Sequence, residues 1–288
     1  MKPRMERFRF GPWEVECLAE DGARLGALRF AGVDLLTTAP ADFRPPAANC
    51  GAYETRPVYG YDDCFPTVDP CPFPGRERCL IADHGELCWL GWRVEATDSR
   101  LRCHVSSRQL PAAFSRTLVF GERSLEWQFE IRNEGDTALP CLHVMHALMP
   151  LDRVTGLSFP SFDVTFDEMN DGELEGNDPK QFAQWLLARP RGTAEMILLR
   201  GIGEGRFTIA FREGPRLEVG FPANLFPTLG IWWNHAGYPD EDGCRRMECA
   251  VEPIAGTASS LAGTYRDGVH LTVRPRRSLR WSVHWKIG

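Results

Sequence analysis

From Ser124 to Arg132, apolar and polar side chains alternate one for one: Leu125, Trp127, Phe129 and Ile131 against Glu126, Gln128, Glu130 and Arg132. Successive side chains of a strand point to opposite faces, so this period puts one face in a core and the other in water. Ser115 to Phe120 predicts a second strand. Gly121-Glu122 closes it into a hairpin with the first, and Asn133-Glu134-Gly135 reads as the next turn. The same alternation returns near the C-terminus. There His270 and Thr272 separate Val269, Leu271 and Val273, while Arg280, Ser282 and His284 separate Leu279, Trp281, Val283 and Trp285. The pattern places Arg274 to Arg277 in a hairpin turn between these two runs. Phe207 to Phe211 alternates too, and Trp13 to Leu18 and Arg24 to Phe30 do so more weakly.

One stretch breaks the period. Asp178 fits an N-cap, Pro179 fits the first helical position, and Gln181 to Ala188 lack breakers before Pro190. This predicts a short helix over Asp178 to Arg189. Strands throughout and so little helix imply an all-β chain, a large antiparallel sandwich with one or two short helices, rather than βαβ units. No repeat, low-complexity segment or linker interrupts the pattern, so residues 1–288 are expected to form a single domain.

Composition narrows the function classes. The net charge is −6 and no long basic block stands out, which argues against a nucleic-acid partner. No run approaches 18 apolar residues, so no membrane span is expected. Met1 to Phe10 mixes charged with apolar residues and does not read as a secretion signal, so the expected location is the cytoplasm. The ten cysteines would then be reduced thiols. None has the short paired spacing of a zinc knuckle, and no phosphate loop, dinucleotide glycine motif or nucleophile elbow is present. Neither a metal nor a cofactor is expected.

Four segments carry residues that a core does not need. Tyr59-Gly60-Tyr61-Asp62-Asp63-Cys64-Phe65-Pro66-Thr67 sets two acids among aromatics. Such a loop suits sugar hydroxyls, which want carboxylate acceptors and a flat apolar face, but aspartates also cap turns. In Asp83-His84-Gly85-Glu86, the glycine after histidine points to a close backbone approach at the imidazole; a surface-loop histidine is the plainer reading. His143 and His146 are three apart. On a strand they face opposite ways and cannot share a metal. On a helix they could, but Pro140 and Pro150 flank them and favour the strand. Finally, Gly230-Ile231-Trp232-Trp233-Asn234-His235 precedes Met247 to Pro253, which holds Glu248 and Glu252. On one strand those glutamates are about 13 Å apart, at roughly 3.3 Å per residue. Glycosidase carboxyl pairs sit about 5 to 9.5 Å apart, so a single general base fits better than a hydrolytic dyad.

The order of Asp83-His84-Gly85, then His146-Ala147-Leu148-Met149-Pro150-Leu151, then Leu229-Gly230-Ile231-Trp232, then Val251-Glu252-Pro253 resembles the galactose-mutarotase/aldose 1-epimerase superfamily. The resemblance runs from about Gly22 to the end. Glu86 stands where a second glycine is usual, and Ala147-Leu148-Met149 where Pro-Tyr-Phe is usual, which marks a distant branch. The resemblance implies a β-supersandwich with a sugar groove on one sheet. It further implies a mutarotase that interconverts the α and β anomers of a free or modified monosaccharide. Glu252 would be its general base and His146 its general acid, on opposite sides of the sugar. His84 would hold the substrate, and Asp63, Trp232 and Asn234 would contact it. The partner is then a small-molecule sugar, and the chain a monomer or homodimer. The alternative on the same scaffold is a non-catalytic carbohydrate-binding or sensing protein.

Overall fold

The computed structural model describes residues 4–39, 51–56, 58–212, 214–239 and 245–288. Among these the named strands pair antiparallel throughout. The alternating runs build one eight-stranded sheet. Its order is Val154–Ser158, Arg206–Phe211, Arg216–Gly220, Ser278–Ile287, Ser124–Asn133, Ala112–Phe120, Arg100–Ser106 and Arg93–Ala96. The predicted hairpin is present, with Phe120 opposite Leu125 and Ala112 opposite Asn133.

Two six-stranded sheets complete the main architecture. One runs Met5–Phe10, Trp13–Leu18, Arg24–Phe30, Tyr61–Cys64, Val144–Ala147, with Val33–Asp34 paired to the third of these. The other runs Met149–Pro150, Arg245–Ile254, Thr228–Pro239, Thr193–Arg200, Val164–Asp167, Gly172–Leu174. The Val144–Ala147 and Arg245–Ile254 strands pack against each other, so the two sheets meet there. Both bury a face against the eight-stranded sheet in one continuous apolar core. Tyr61 meets Trp127 at 4.6 Å between ring centroids and Phe10 meets Phe120 at 4.2 Å. Burying these large rings contributes to the apolar stabilisation of the sandwich.

The predicted helix spans Pro179–Leu187, and the Asp178 side chain accepts the Gln181 N–H at 2.7 Å as its N-cap. A second short helix, Leu261–Arg266, is capped by Ser260. Its end corrects one expectation: the Val269 N–H bonds to the Thr264 carbonyl, so the following strand begins only at Leu271. Arg274 to Arg277 is a second correction. Leu271–Val273 pairs with Leu139–Cys141, whereas Ser278–Ile287 pairs with Ser124–Asn133 and Arg216–Gly220. The stretch turns, with Arg277 N–H on the Arg274 carbonyl, but it joins two sheets instead of closing a hairpin. Local alternation reports strands, not their partners. Among the described residues no helix is long and apolar enough to cross a membrane.

Candidate active site

Register decides which side chains share a face. Val144–Ala147 pairs with Tyr61–Cys64 so that His146 lies opposite Asp62, Met145 opposite Asp63, and Val144 opposite Cys64. Met145 points into the main core. His146, Asp62, Val144 and Cys64 therefore occupy the other, outward face. On the neighbouring sheet Glu252 lies opposite Gly230, Ala250 opposite Trp232, and Trp232 opposite Met196. Cys64, Val144, Leu198 and Ile254 close a small apolar floor, with Val68 and Met196 packed against it. Above this floor is a groove of about 370 Å³, the size of a small-molecule site. His84, His146, Glu252, Tyr53, Trp232 and Arg246 are among the residues that line it.

His146 and Glu252 are in direct contact, with Nδ1 2.7 Å from Oε1, and both are almost wholly buried. A carboxylate only accepts, so Nδ1 carries the hydrogen and Nε2 is left for a ligand. His84 stands beside them, its ring centroid 5.0 Å from that of His146 and edge-on to it. Its Nδ1 is 2.8 Å from Asp83 Oδ1. Tyr53 lies flat on the His84 ring at 3.6 Å. Its hydroxyl donates to Asp62 Oδ2 at 3.0 Å, and that oxygen also accepts from Arg56 Nη1 at 2.7 Å. Gly85 holds this loop down: it has φ +72°, and a Cβ there would fall 1.9 Å from the Phe65 carbonyl oxygen. The close backbone approach implied by His-Gly is real, but it is to Phe65.

The two imidazoles are driven apart electrostatically. Burial works against the charge on His146, but the Glu252 carboxylate outweighs it and the pKa is raised. For His84 burial dominates; the Asp83 hydrogen bond offsets it only in part, His146 adds repulsion, and the pKa is lowered. One imidazole is thus disposed to be a cationic donor and the other to be neutral. On the groove's edge, burial and the nearby Glu168 carboxylate push Asp69 up to about 6.

Four of the six residues singled out in the sequence line the groove: Glu252, His146, His84 and Trp232. The Trp232 indole N–H donates to Glu248 Oε1 at 3.2 Å. Asp63 is turned the other way. It is fully buried, paired with Arg116, and bonded to Tyr61 Oη at 2.6 Å and His143 Nε2 at 3.0 Å. That network packs among Phe114, Phe129 and Trp281 in the main core. Asn234 is spent on the chain itself: its Oδ1 accepts the Gly237 and Tyr238 N–H groups. Nor do the paired groups flank the groove from opposite sides, since His146 and Glu252 touch. Asp62 and Cys64 lie in the acid-bearing segment Tyr59 to Thr67 but are not among those six, and Tyr53 and Arg56 lie outside the four segments. For Asp62 and Cys64 the signal existed in the alternation of Tyr61–Cys64, but choosing its outward face required the pairing with His146.

No family model matches the chain, and no curated protein sequence matches it. Solved structures do resemble it in shape. A Synechocystis sp. PCC 6803 protein matches with TM-score 0.78 and 17% identity, covering 100% of this chain and 96% of its own. A galactose mutarotase-like protein from Clostridium acetobutylicum matches with TM-score 0.69 and 16% identity, over 99% and 98% of the two chains. A GalM/aldose epimerase homologue from C. elegans matches with TM-score 0.68 and 11% identity, over 99% of each. The chain therefore has the fold of galactose mutarotase-like proteins.

Proposed function

We propose that the protein is an aldose 1-epimerase-type isomerase that interconverts the anomers of a free or modified monosaccharide, with Glu252 as base and His146 as acid. The contact between His146 Nδ1 and Glu252 Oε1 at 2.7 Å, at the wall of a sugar-sized groove, carries this reading. Mutarotation needs one proton removed from the C1 hydroxyl and one delivered to the ring oxygen. Both oxygens are bonded to C1, so an adjacent acid and base reach them from one side. Oε2 of Glu252 takes the hydroxyl proton while the Nε2–H of His146 gives its proton to the ring oxygen. The C1–O5 bond breaks, the electron pair on O1 becomes the carbonyl, and the open chain turns about C1–C2. Closure runs the same transfers backwards: O5 gives its proton to Nε2 as it attacks C1, and Glu252 returns a proton to O1. The raised pKa of His146 favours the charged donor, and the lowered pKa of His84 favours a neutral imidazole for a sugar hydroxyl. Trp232 offers flat apolar surface to the sugar.

The test is anomer exchange of freshly dissolved α-glucose and α-galactose by polarimetry, then saturation-transfer NMR across a panel of free sugars. Catalysed exchange of any of them supports the proposal. Sugar binding without exchange in the wild type gives the scaffold a binding role instead.

A further inference from the structure

Cys64 has no part in that mechanism, yet it lies where a third metal ligand would be. Among the described residues, one group of three donors is close enough to share an ion: Cys64, His84 and His146, whose ligand atoms all lie within 4.8 Å of one another. We propose that these three side chains form a binding site for a zinc-type divalent ion, with its fourth position open to the groove.

Three independent features support it. Each histidine has its Nδ1 on a carboxylate, Asp83 for His84 and Glu252 for His146. This is the outer-shell arrangement that orients metal-bound imidazoles and directs Nε2 at the ion. The donor set is two imidazoles and a thiol, a combination that suits zinc and disfavours magnesium or calcium. The layout also fits an open site. Cys64 is fully buried in the floor while both imidazoles line the groove, so an ion held between them faces inward to sulfur and outward to the cavity. Three protein ligands with one free position is the pattern of exchangeable zinc sites rather than closed structural ones. Four-coordinate bonds of about 2.0–2.3 Å place donors about 3.3–3.6 Å apart, so the group must contract by about an ångström on loading.

One consequence rests on the proposed function. An ion on Nε2 of His146 occupies the atom that serves the ring oxygen, so loading and turnover exclude each other and zinc inhibits exchange.

The ion itself is tested without sugar. Chelator-treated protein is titrated with Co²⁺ and followed by absorption. The expected result is one ion per chain, with a sulfur-to-cobalt charge-transfer band, the intense visible bands of a four-coordinate ion, and displacement by Zn²⁺. Cys64→Ser should abolish the sulfur band, whereas Cys79→Ser, which changes a thiol outside the site, should leave it intact. Asp83→Asn, which alters only an outer-shell partner, should weaken binding about 10–100-fold. His84→Asn, at the groove wall, serves if the buried cysteine variant does not fold, and should also lose the tight site. Wild-type protein lacking the sulfur band, or a Cys64→Ser protein that keeps it, overturns the proposal. Because cobalt is read spectroscopically, the outcome stands whether or not the chain exchanges anomers.

Discussion

Nδ1 of His146 and Oε1 of Glu252 lie 2.7 Å apart although 106 residues separate them, and the bond ties the Val144–Ala147 strand of one sheet to the Arg245–Ile254 strand of another. The Glu252 carboxylate raises the pKa of His146, and the bond between them fixes the orientation of both side chains.

Glu252→Gln keeps the size of the side chain and removes the proton acceptor. Exchange should fall about 10²–10⁴-fold, the usual contribution of a general base, with sugar binding retained. Glu248→Gln is the control. The two glutamates sit on one strand whose register runs unbroken from Gly230↔Glu252 to Asn234↔Glu248. Saturation-transfer rates on both variants decide it; wild-type turnover by Glu252→Gln removes the base from the mechanism.

The two neighbouring histidines should separate cleanly. His146→Asn should lose exchange and also cost about 1–3 kcal/mol, because it leaves the buried Glu252 carboxylate without the hydrogen bond it accepts at 2.7 Å. His143→Asn should keep exchange and lose about 0.5–1.5 kcal/mol, because it removes one hydrogen bond, at 3.0 Å, from the Asp63 carboxylate that Arg116 and Tyr61 still hold. Urea melts and exchange rates, measured together, check both halves.

Trp232→Ala removes a flat wall of the groove. Aromatic contacts are worth about 0.5–1.5 kcal/mol, so KM should rise up to about tenfold while kcat is largely kept. A fall in kcat alone would mean that Trp232 acts through the acid–base pair instead.

Gly85→Ala forces a Cβ against the Phe65 carbonyl in a left-handed backbone conformation. It should destabilise by more than about 1 kcal/mol and displace His84. Sugar affinity should drop with it, as read by melting and by binding titration. An alanine variant as stable as wild type would show that the loop has room to move.

Acid should reveal Asp21. It is paired with Arg24 and with Arg56 Nη2 at 2.9 Å. Burial opposes its charge, but the two guanidinium groups prevail and its pKa is lowered. A depressed folded pKa contributes stability that is complete above the ordinary value of about 3.9 and is lost as pH falls through the folded value. Asp21→Asn should therefore be less stable at neutral pH and lose less between about pH 4 and 2 than wild type does. Parallel melting curves with the same acid slope in both proteins would contradict this.

The strands and the helix were legible because they are local. Leu125 to Ile131 can bury one face only as a strand, and Asp178-Pro179 can start a helix whatever surrounds it. The opposed directions of His143 and His146 also follow from chain geometry, and the structure sends one to Asp63 and the other to Glu252. Where the sequence misled, a partner was missing. Arg274 to Arg277 looks like a hairpin turn until its flanking strands find different sheets.

The amino-acid order by itself determined which residues alternate, where the backbone turns, and that histidines, acids and aromatics fall in a mutarotase-like sequence. Only the tertiary structure decided that Asp62 and not Asp63 shares the face of His146, and that Cys64 lies close to two imidazoles. It also decided that His146 and Glu252 touch instead of facing each other across the groove. The reason is that a strand offers two equivalent faces, and a single step of register exchanges them. Which face becomes core is settled by the whole sandwich, in contacts between segments that the local pattern does not connect.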